Sequence, residues 1–276
     1  MKRTLSLLAI GASALVGAAF STAAFAQAKA EVSISRIECG TPPAPMEVNL
    51  RFSDTYEYAG KKVPFVFSCY LIKHGDDYLL WDTGHAMTAG AVAPKVSLVD
   101  VFAKENLKPE QIKFIGISHY HADHTGQVGS FPGATLLIGS GDWAAITAPT
   151  PAPGVNAPPF AHWATGGGKV EPLSGDKDVF GDGSVVILST PGHTPGHRAL
   201  LVRLAKKGNF LISGDLVHFH ENYKNNGVPT FNVSRAETLA SIDRFKKLAK
   251  VHKAKVVIQH DARDVGILPA YPAVAN

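Results

Sequence analysis

The sequence predicts an α/β fold in which two sheet layers, each faced by helices, close on one shared site. Three observations carry that reading. Short apolar, β-branched runs recur and alternate with segments of helical periodicity. The polar residues able to do chemistry fall directly after strands: His119 after 114–118, Asp215 after 210–213 and His260 after 255–258. The two halves of the chain share a cadence, strands and then a loop that carries such residues into a helix.

Taken in order, 32–37, 63–73 and 78–81 read as strands, with Gly75-Asp76-Asp77 as the hairpin turn between the last two. Residues 97–105 read as a helix with Leu98, Val101 and Phe102 on one face. A strand over 113–118 runs straight into a histidine cluster. A strand over 135–138 and a short helix over 142–147 follow. Residues 148–161 hold Pro149, Pro151, Pro153, Pro158 and Pro159, a density that no helix or sheet interior tolerates. This stretch is read as a loop, either a lid over the site or a linker between halves, with the lid favoured because long structureless loops in compact domains tend to be functional. Phe160 and Trp163 at its end are then apolar surfaces for a substrate. Strands resume at 169–172, 184–188, 199–204 and 210–213. Ser234 with Glu237 three residues on forms a capping box. The helix it opens runs to about Val251 with Leu239, Ile242, Phe245 and Leu248 on one stripe, and the strand 255–258 leads to His260.

The first residues are not part of that pattern. Lys2 and Arg3, an apolar run over 5–20 and Ala24-Phe25-Ala26 read as a signal peptide over 1–26. The run is short and interrupted by Ser and Gly, which argues against a membrane anchor. The expectation is an exported product, periplasmic or secreted, that begins near Gln27 and holds no membrane span. Removing Lys2 and Arg3 lowers the formal charge from +4 to +2. That balance, with no cluster denser than Lys246-Lys247, argues against nucleic acid as a partner. Cys39 and Cys69 sit in no metal spacing. In an exported protein they are either one disulfide between the first strand and the next long one or two buried thiols.

The centre of the case is Ser118-His119-Tyr120-His121-Ala122-Asp123-His124. His119 and His121, two apart in extended chain, point to one face. Asp123 and His124 come where the chain turns into a helix and point to a neighbouring position, so one segment can serve two adjacent metal ions. Imidazole and carboxylate are the ligands of zinc, and also of iron and manganese. A solvated His-rich loop is the bland alternative, and the further isolated histidines at strand ends argue against it.

His119-x-His121-x-Asp123-His124 is similar to the HxHxDH signature of the metallo-β-lactamase superfamily. Asp82 in Trp81-Asp82-Thr83-Gly84, His193 in Pro191-Gly192-His193, Asp215 in Ser213-Gly214-Asp215 and His260 in Gln259-His260-Asp261 resemble its other signature positions, over about residues 65–261. The resemblance implies one domain over 27–276 with a four-layer αββα sandwich, and a site at one edge of the sheets. It implies His119, His121 and His193 on one metal, Asp123, His124 and His260 on the other, Asp215 bridging them, and Asp82 supporting a ligand histidine. Two cations sharing a carboxylate can also share a water, lowering its pKa from ~15.7 toward ~7, and stabilise the oxyanion formed on attack. Asp123 and Asp215 thus join the catalytic set as well as the ligand set.

After Asp215 the chain resembles N-acyl homoserine lactonases more closely: Glu221-Asn222-Tyr223, Val228-Pro229 and the helix from Ser234 follow in their order. This implies a two-metal hydrolase, most simply a di-zinc one with Mn or Fe as alternatives, that opens lactone rings of a small-molecule substrate. A β-lactamase, a thioesterase or an iron-dependent redox enzyme is the alternative. Oligomeric state is open, with a homodimer as one possibility. One departure stands out. Those lactonases commonly carry a tyrosine three residues after the bridging aspartate, and this chain has His218, which can handle a proton for the reaction. His218 and His220 straddle Phe219, so an extended chain turns both toward the pocket. His197 is read as a support residue. Tyr223 and Phe231 join Phe160, Trp163 and His218 as candidate pocket walls.

Overall fold

The computed structural model describes residues 30–276; the predicted signal segment over 1–26 lies outside the described residues. The apolar runs of the first half form β1 (Val32–Glu38), β2 (Met46–Glu47), β3 (Lys62–Val63), β4 (Ser68–His74), β5 (Asp77–Trp81), β6 (Ile112–Ile117), β7 (Thr135–Gly139) and β8 (Val170–Leu173). Those of the second half form β9 (Lys177–Asp178), β10 (Val185–Ser189), β11 (Arg198–Leu204), β12 (Gly208–Ile212) and β13 (Lys255–Val257). One sheet runs β1-β4-β5-β6-β7-β8 and the other β13-β12-β11-β10-β9, with β2 and β3 as a separate ribbon. The first sheet is antiparallel from β1 to β5 and parallel from β5 to β8. In the second, only β12 and β13 run parallel.

Side chains alternate across each strand, and that alternation sorts the core into layers. Ile34, Ile72, Trp81 and Leu137 point from the first sheet toward Ile187, Leu200, Val202 and Ile212 of the second, forming the inter-sheet core. On the outer side of the first sheet, Leu71, Leu80, Ile115 and Ile138 pack against α1 (Leu98–Ala103), where Leu98 and Phe102 are buried. On the outer side of the second, Leu201 and Leu211 pack against the long C-terminal helix, Arg235–Val251. The result is the αββα sandwich. Among the described residues no helix is long and apolar enough to cross a membrane.

Two expectations change in detail. The run 63–73 does not form one strand. Pro64 has no N–H to give a ladder, and the backbone leaves the sheet at 64–67, where Val66 N–H donates to the His260 carbonyl (3.0 Å) and Phe67 N–H to that of Gly40 (2.9 Å). The long C-terminal helix is capped as expected, with Ser234 Oγ accepting from Glu237 N–H. Its buried stripe is Thr238, Ser241, Ile242, Phe245 and Ala249, so Leu239 and Leu248 flank the stripe half-buried. Cys39 and Cys69 form a disulfide that ties the end of β1 to β4.

Candidate metal centre

Strand ends deliver every residue of the site. Parallel β6 ends at Ile117, and the chain bends through His119 and His121 before a single turn, α2 (Ala122–Thr125), carries Asp123 and His124. Asp82 follows β5, His193 follows β10, Asp215 lies in the turn after β12 and His260 follows β13. His119, His121, His193 and Asp215 bring one ligand atom each within 4.8 Å of one another. Asp123, His124, Asp215 and His260 do the same beside them. Asp215 divides its oxygens between the groups: Oδ1 lies 2.7 Å from His260 Nε2 and 3.0 Å from His124 Nε2, and Oδ2 lies 3.4 Å from His193 Nε2.

Hydrogen bonding at the far side of the rings decides what these groups can hold. His124 Nδ1–H donates to Asp82 Oδ2 (2.8 Å), His193 Nδ1–H to Asn232 Oδ1 (2.8 Å) and His260 Nδ1–H to the Val66 carbonyl (2.8 Å). A neutral imidazole carries one N–H, so each Nε2 is left as a lone pair. Yet His124 Nε2 and His260 Nε2 face each other at 3.1 Å, and His193 Nε2 faces His121 Nδ1 at 3.0 Å. Asp215 Oδ1 is buried without a hydrogen-bond donor. Lone pairs converge here in two clusters with an orphaned carboxylate oxygen between them. A pair of divalent cations fits that donor chemistry, because one cation can be shared by all the lone pairs of a cluster and takes the place of any proton an Nε2 carries in the metal-free chain.

A further layer fixes these side chains. Asp82 sits at φ +57°, in the left-handed region that non-glycine residues seldom adopt, and accepts from Ser118 N–H (2.7 Å) and Gln259 Nε2 (2.7 Å) as well as His124. His197 donates from Nδ1 to the Thr190 carbonyl (3.0 Å) and accepts at Nε2 from Asp215 N–H (2.9 Å), which sets the bridging residue's backbone. Asp142 is fully buried. It accepts from Tyr120 N–H (3.1 Å), between His119 and His121, and from Thr194 Oγ1 (2.8 Å) and Gly196 N–H (2.6 Å), which flank the His193 turn.

The electrostatics split along the same lines. Burial, reinforced by neighbouring histidines, drives His119 well below the ordinary histidine value. Burial likewise drives His193 down, and His121 is lowered too. For Asp215, burial works to raise the carboxyl, but His260, His124, His218 and His119 outweigh it and hold it well below the usual range. Burial also pushes His124 and His260 down, and the carboxylates around them, Asp215 first, override it and raise both.

A cavity of about 680 Å³ opens onto this centre. Phe52, Phe65, Phe67 and Phe231 form apolar walls, and His121, Asp123, Asp215, His218 and His260 lie at the metal end. The proline-rich loop contributes Pro153 and Gly154, and Asn156 ties it down by donating from Nδ2 to Thr125 Oγ1 (2.7 Å). Three expected wall residues are corrected. Phe160 and Trp163 turn away from the cavity into the core outside the first sheet, and Trp163 Nε1–H reaches the Ala134 carbonyl (3.3 Å). Large rings gain more from that burial than from a wet cavity wall. Tyr223 packs on Phe245, its ring centroid 6.2 Å away, beneath the long helix. His218 and His220 also part company. His218 Nε2–H reaches Asp215 Oδ2 (3.1 Å), while a new helix, His220–Asn225, begins and turns His220 out to Asp264 (2.7 Å).

Sequence reasoning missed Asn232, Gln259 and Asp142 as supports, and Arg51, Phe52, Phe65 and Phe67 as cavity walls. Gln259, beside His260, and Asn232, beside Phe231, sat next to recognised residues.

With that geometry in place, residues 64–260 match the Metallo-beta-lactamase superfamily. N-acyl homoserine lactonase AttM of Rhizobium radiobacter is 30% identical over 178 residues, which span 59% of this chain and 63% of that protein. Among solved structures, a quorum-quenching N-acyl homoserine lactone hydrolase superposes with a TM-score of 0.72 at 22% identity, over 90% of this chain and 99% of that one. AidC, a dizinc quorum-quenching lactonase, superposes with a TM-score of 0.65 at 18% identity, over 89% and 90%.

Proposed function

This chain belongs to the metallo-β-lactamase superfamily, and from that premise we propose that it is an exported hydrolase that opens the lactone ring of N-acyl homoserine lactones. One observation carries the reading: an apolar cavity, walled by four phenylalanines, ends on two ligand groups that share Asp215. An acyl chain suits such walls, and an ester suits such a floor. The similarity to AttM and the fold shared with solved homoserine lactone hydrolases support the substrate class.

His119, His121, His193 and Asp215 would hold one divalent cation and Asp123, His124, Asp215 and His260 a second, and such a pair would supply Lewis acidity and lower the pKa of a water. Zinc is favoured by the imidazole–carboxylate set and by the dizinc character of AidC. The chain's own groups do the rest. Asp215 stays ionised and keeps the two groups in register. Asp123 keeps 23% of its side chain exposed and faces the cavity, where it can take the proton lost by the attacking water and return it to the alkoxide oxygen released when the ring C–O bond breaks. His218, at the cavity floor and bonded to Asp215, moves a proton at the position where related lactonases present a tyrosine hydroxyl. The phenylalanine walls exclude water from the chain side of the substrate. Export is supported by the N-terminal pattern over 1–26 and by the Cys39–Cys69 disulfide, a bond that persists in oxidising compartments.

The test is proton release at low buffer from a long-chain acyl homoserine lactone by the metal-loaded protein, with nitrocefin and an acyl thioester in parallel. Lactone opening that disappears in Asp215→Ala is the expected result. Turnover of nitrocefin or thioester without lactone opening would overturn the substrate class, and iron as the sole bound metal with no hydrolysis would overturn the reaction.

A further inference from the structure

The cavity wall carries one permanent cation that the metal chemistry leaves unused. Arg51 lines the cavity, its guanidinium carbon 5.0 Å from the Phe231 ring centroid and 5.8 Å from that of Phe52. Among the described residues it has no carboxylate partner; nearby Asp54 is taken by Arg235. Its backbone is held, since its carbonyl accepts from Thr230 N–H (3.0 Å). Pro42, Pro43, Ala44, Met46 and Phe52, which line the same cavity, offer no side-chain N–H or O–H donor. The charged and imidazole groups elsewhere in the lining belong to the metal end, His85 apart. Arg51 is thus a planar fork of five donors at the solvent-exposed side of the cavity, set over two aromatic rings beside otherwise apolar lining.

Phe231 relates this cation to the reacting centre. Its ring centroid lies 5.5 Å from that of His193 and 5.9 Å from that of His218. The guanidinium therefore stands one aromatic ring beyond the metal end, beside the path of an acyl chain that enters along Phe52 and Phe231. We propose that Arg51 is a specificity residue that binds an oxygen acceptor on the acyl chain a few bonds from the lactone. The preferred substrates are then acyl lactones whose chain carries such an oxygen, keto or carboxylate, in place of a plain alkanoyl chain. This rests on the lactonase reading above for the lactone, and on Arg51 and its surroundings alone for the oxygen.

The experiment compares 3-oxobutanoyl, 3-carboxypropanoyl and butanoyl homoserine lactones, four-carbon chains whose added oxygens lie a few bonds from the lactone, on the zinc-loaded wild type and Arg51→Met, which keeps an apolar stem over the rings. The readouts are kcat/KM and, by calorimetry, Kd for the corresponding ring-opened acyl-homoserines. A hydrogen bond to a charged donor is expected to favour an oxygen-bearing chain about tenfold or more in the wild type, with the ratio falling toward one in Arg51→Met. The 3-oxo and carboxylate arms separate a neutral from an anionic acceptor. Equal ratios in the two proteins, or no wild-type preference in either readout, overturn the inference while leaving lactone opening standing. A Kd preference lost in Arg51→Met, with no lactone opened, overturns the lactonase reading and leaves Arg51 as the reader of the chain.

Discussion

The Nε2 atoms of His124 and His260 face each other at 3.1 Å, while the Nδ1 of each ring is spent on an oxygen of Asp82 or Val66. In the metal-free chain, Asp215 and Asp123 raise both rings above the ordinary histidine value against the pull of burial. A group raised in this way keeps its proton as pH climbs past 6.5, so a cation arriving at neutral pH must displace protons. Zinc loading is therefore expected to release protons, measurable by calorimetry in buffers of different ionisation enthalpy. Apparent affinity should weaken at least tenfold from pH 8 to pH 6, measured by competition with a chelator. Affinity that does not change with pH would contradict the arrangement.

Asp82 is asked for three hydrogen bonds by three buried donors, and both its oxygens are used. Oδ1 accepts from Ser118 N–H, and Oδ2 accepts from His124 and Gln259. An Asp82→Asn amide has one acceptor oxygen, so its NH2 must face at least one of those donors. The expected outcome is a 10- to 100-fold loss of affinity for the cation on His124, read as zinc per chain falling toward one after dialysis. Retention of two tightly held zinc ions in Asp82→Asn would show that His124 needs no such partner.

How much of this could be read from the chain alone follows from sequence distance. His119 to His124 declare themselves because one strand and one turn place them all, and Asp215 and His260 because a strand ends just before each. The supports do not declare themselves. Asn232 acts on His193 from 39 positions away, Asp142 on Thr194 from 52 and Gln259 on Asp82 from 177. Their chemistry, one amide or carboxyl in a polar stretch, looks like any surface residue until the sheets close. Phe160, Trp163 and Tyr223 mislead for the complementary reason. An aromatic ring is as apt for a cavity wall as for the core, and only tertiary packing decides its direction. His220 misleads, while His218 does reach the cavity, because the alternation of extended chain stops where a helix begins at His220.

Asp142 joins the two histidine-bearing loops of the first ligand group through one buried carboxyl. Burial, partly offset by its three donors, raises that carboxyl to about 7. The unfolded chain ionises it near the ordinary value of about 4, so the folded state binds more protons between those two values. Stability tied to this group is therefore fully present below about pH 4, declines as pH rises toward 7 and is then level. The difference in unfolding free energy between wild type and Asp142→Ala, followed by urea titration of metal-free protein, is expected to shrink over that window. A buried donor left unpaired costs about 1–3 kcal/mol, so the variant should remain less stable at acid pH. A difference that grew with pH would mean that the ionised form is the one the fold prefers.

Gly139, at the end of β7, has ordinary extended geometry (φ −59°, ψ 135°), so any residue could adopt its backbone. Space forbids it. A Cβ built there would stand 1.9 Å from the Gly196 carbonyl oxygen, and one built on Gly196 would stand 2.4 Å from Asp142 N. Two backbones meet here without side chains, and that contact presses the turn bearing His193 against the first sheet. Gly139→Ala must push residues 194–197 away, which draws His193 out of its group and slackens His197 behind Asp215. The expected result is a lower Tm together with less than two zinc ions per chain. Gly133→Ala, where a Cβ meets nothing within 4 Å, should stay within about 0.5 kcal/mol of wild type and keep its metals. Full zinc content in a destabilised Gly139→Ala would separate the two effects, showing that the contact holds the sheets together without aligning His193.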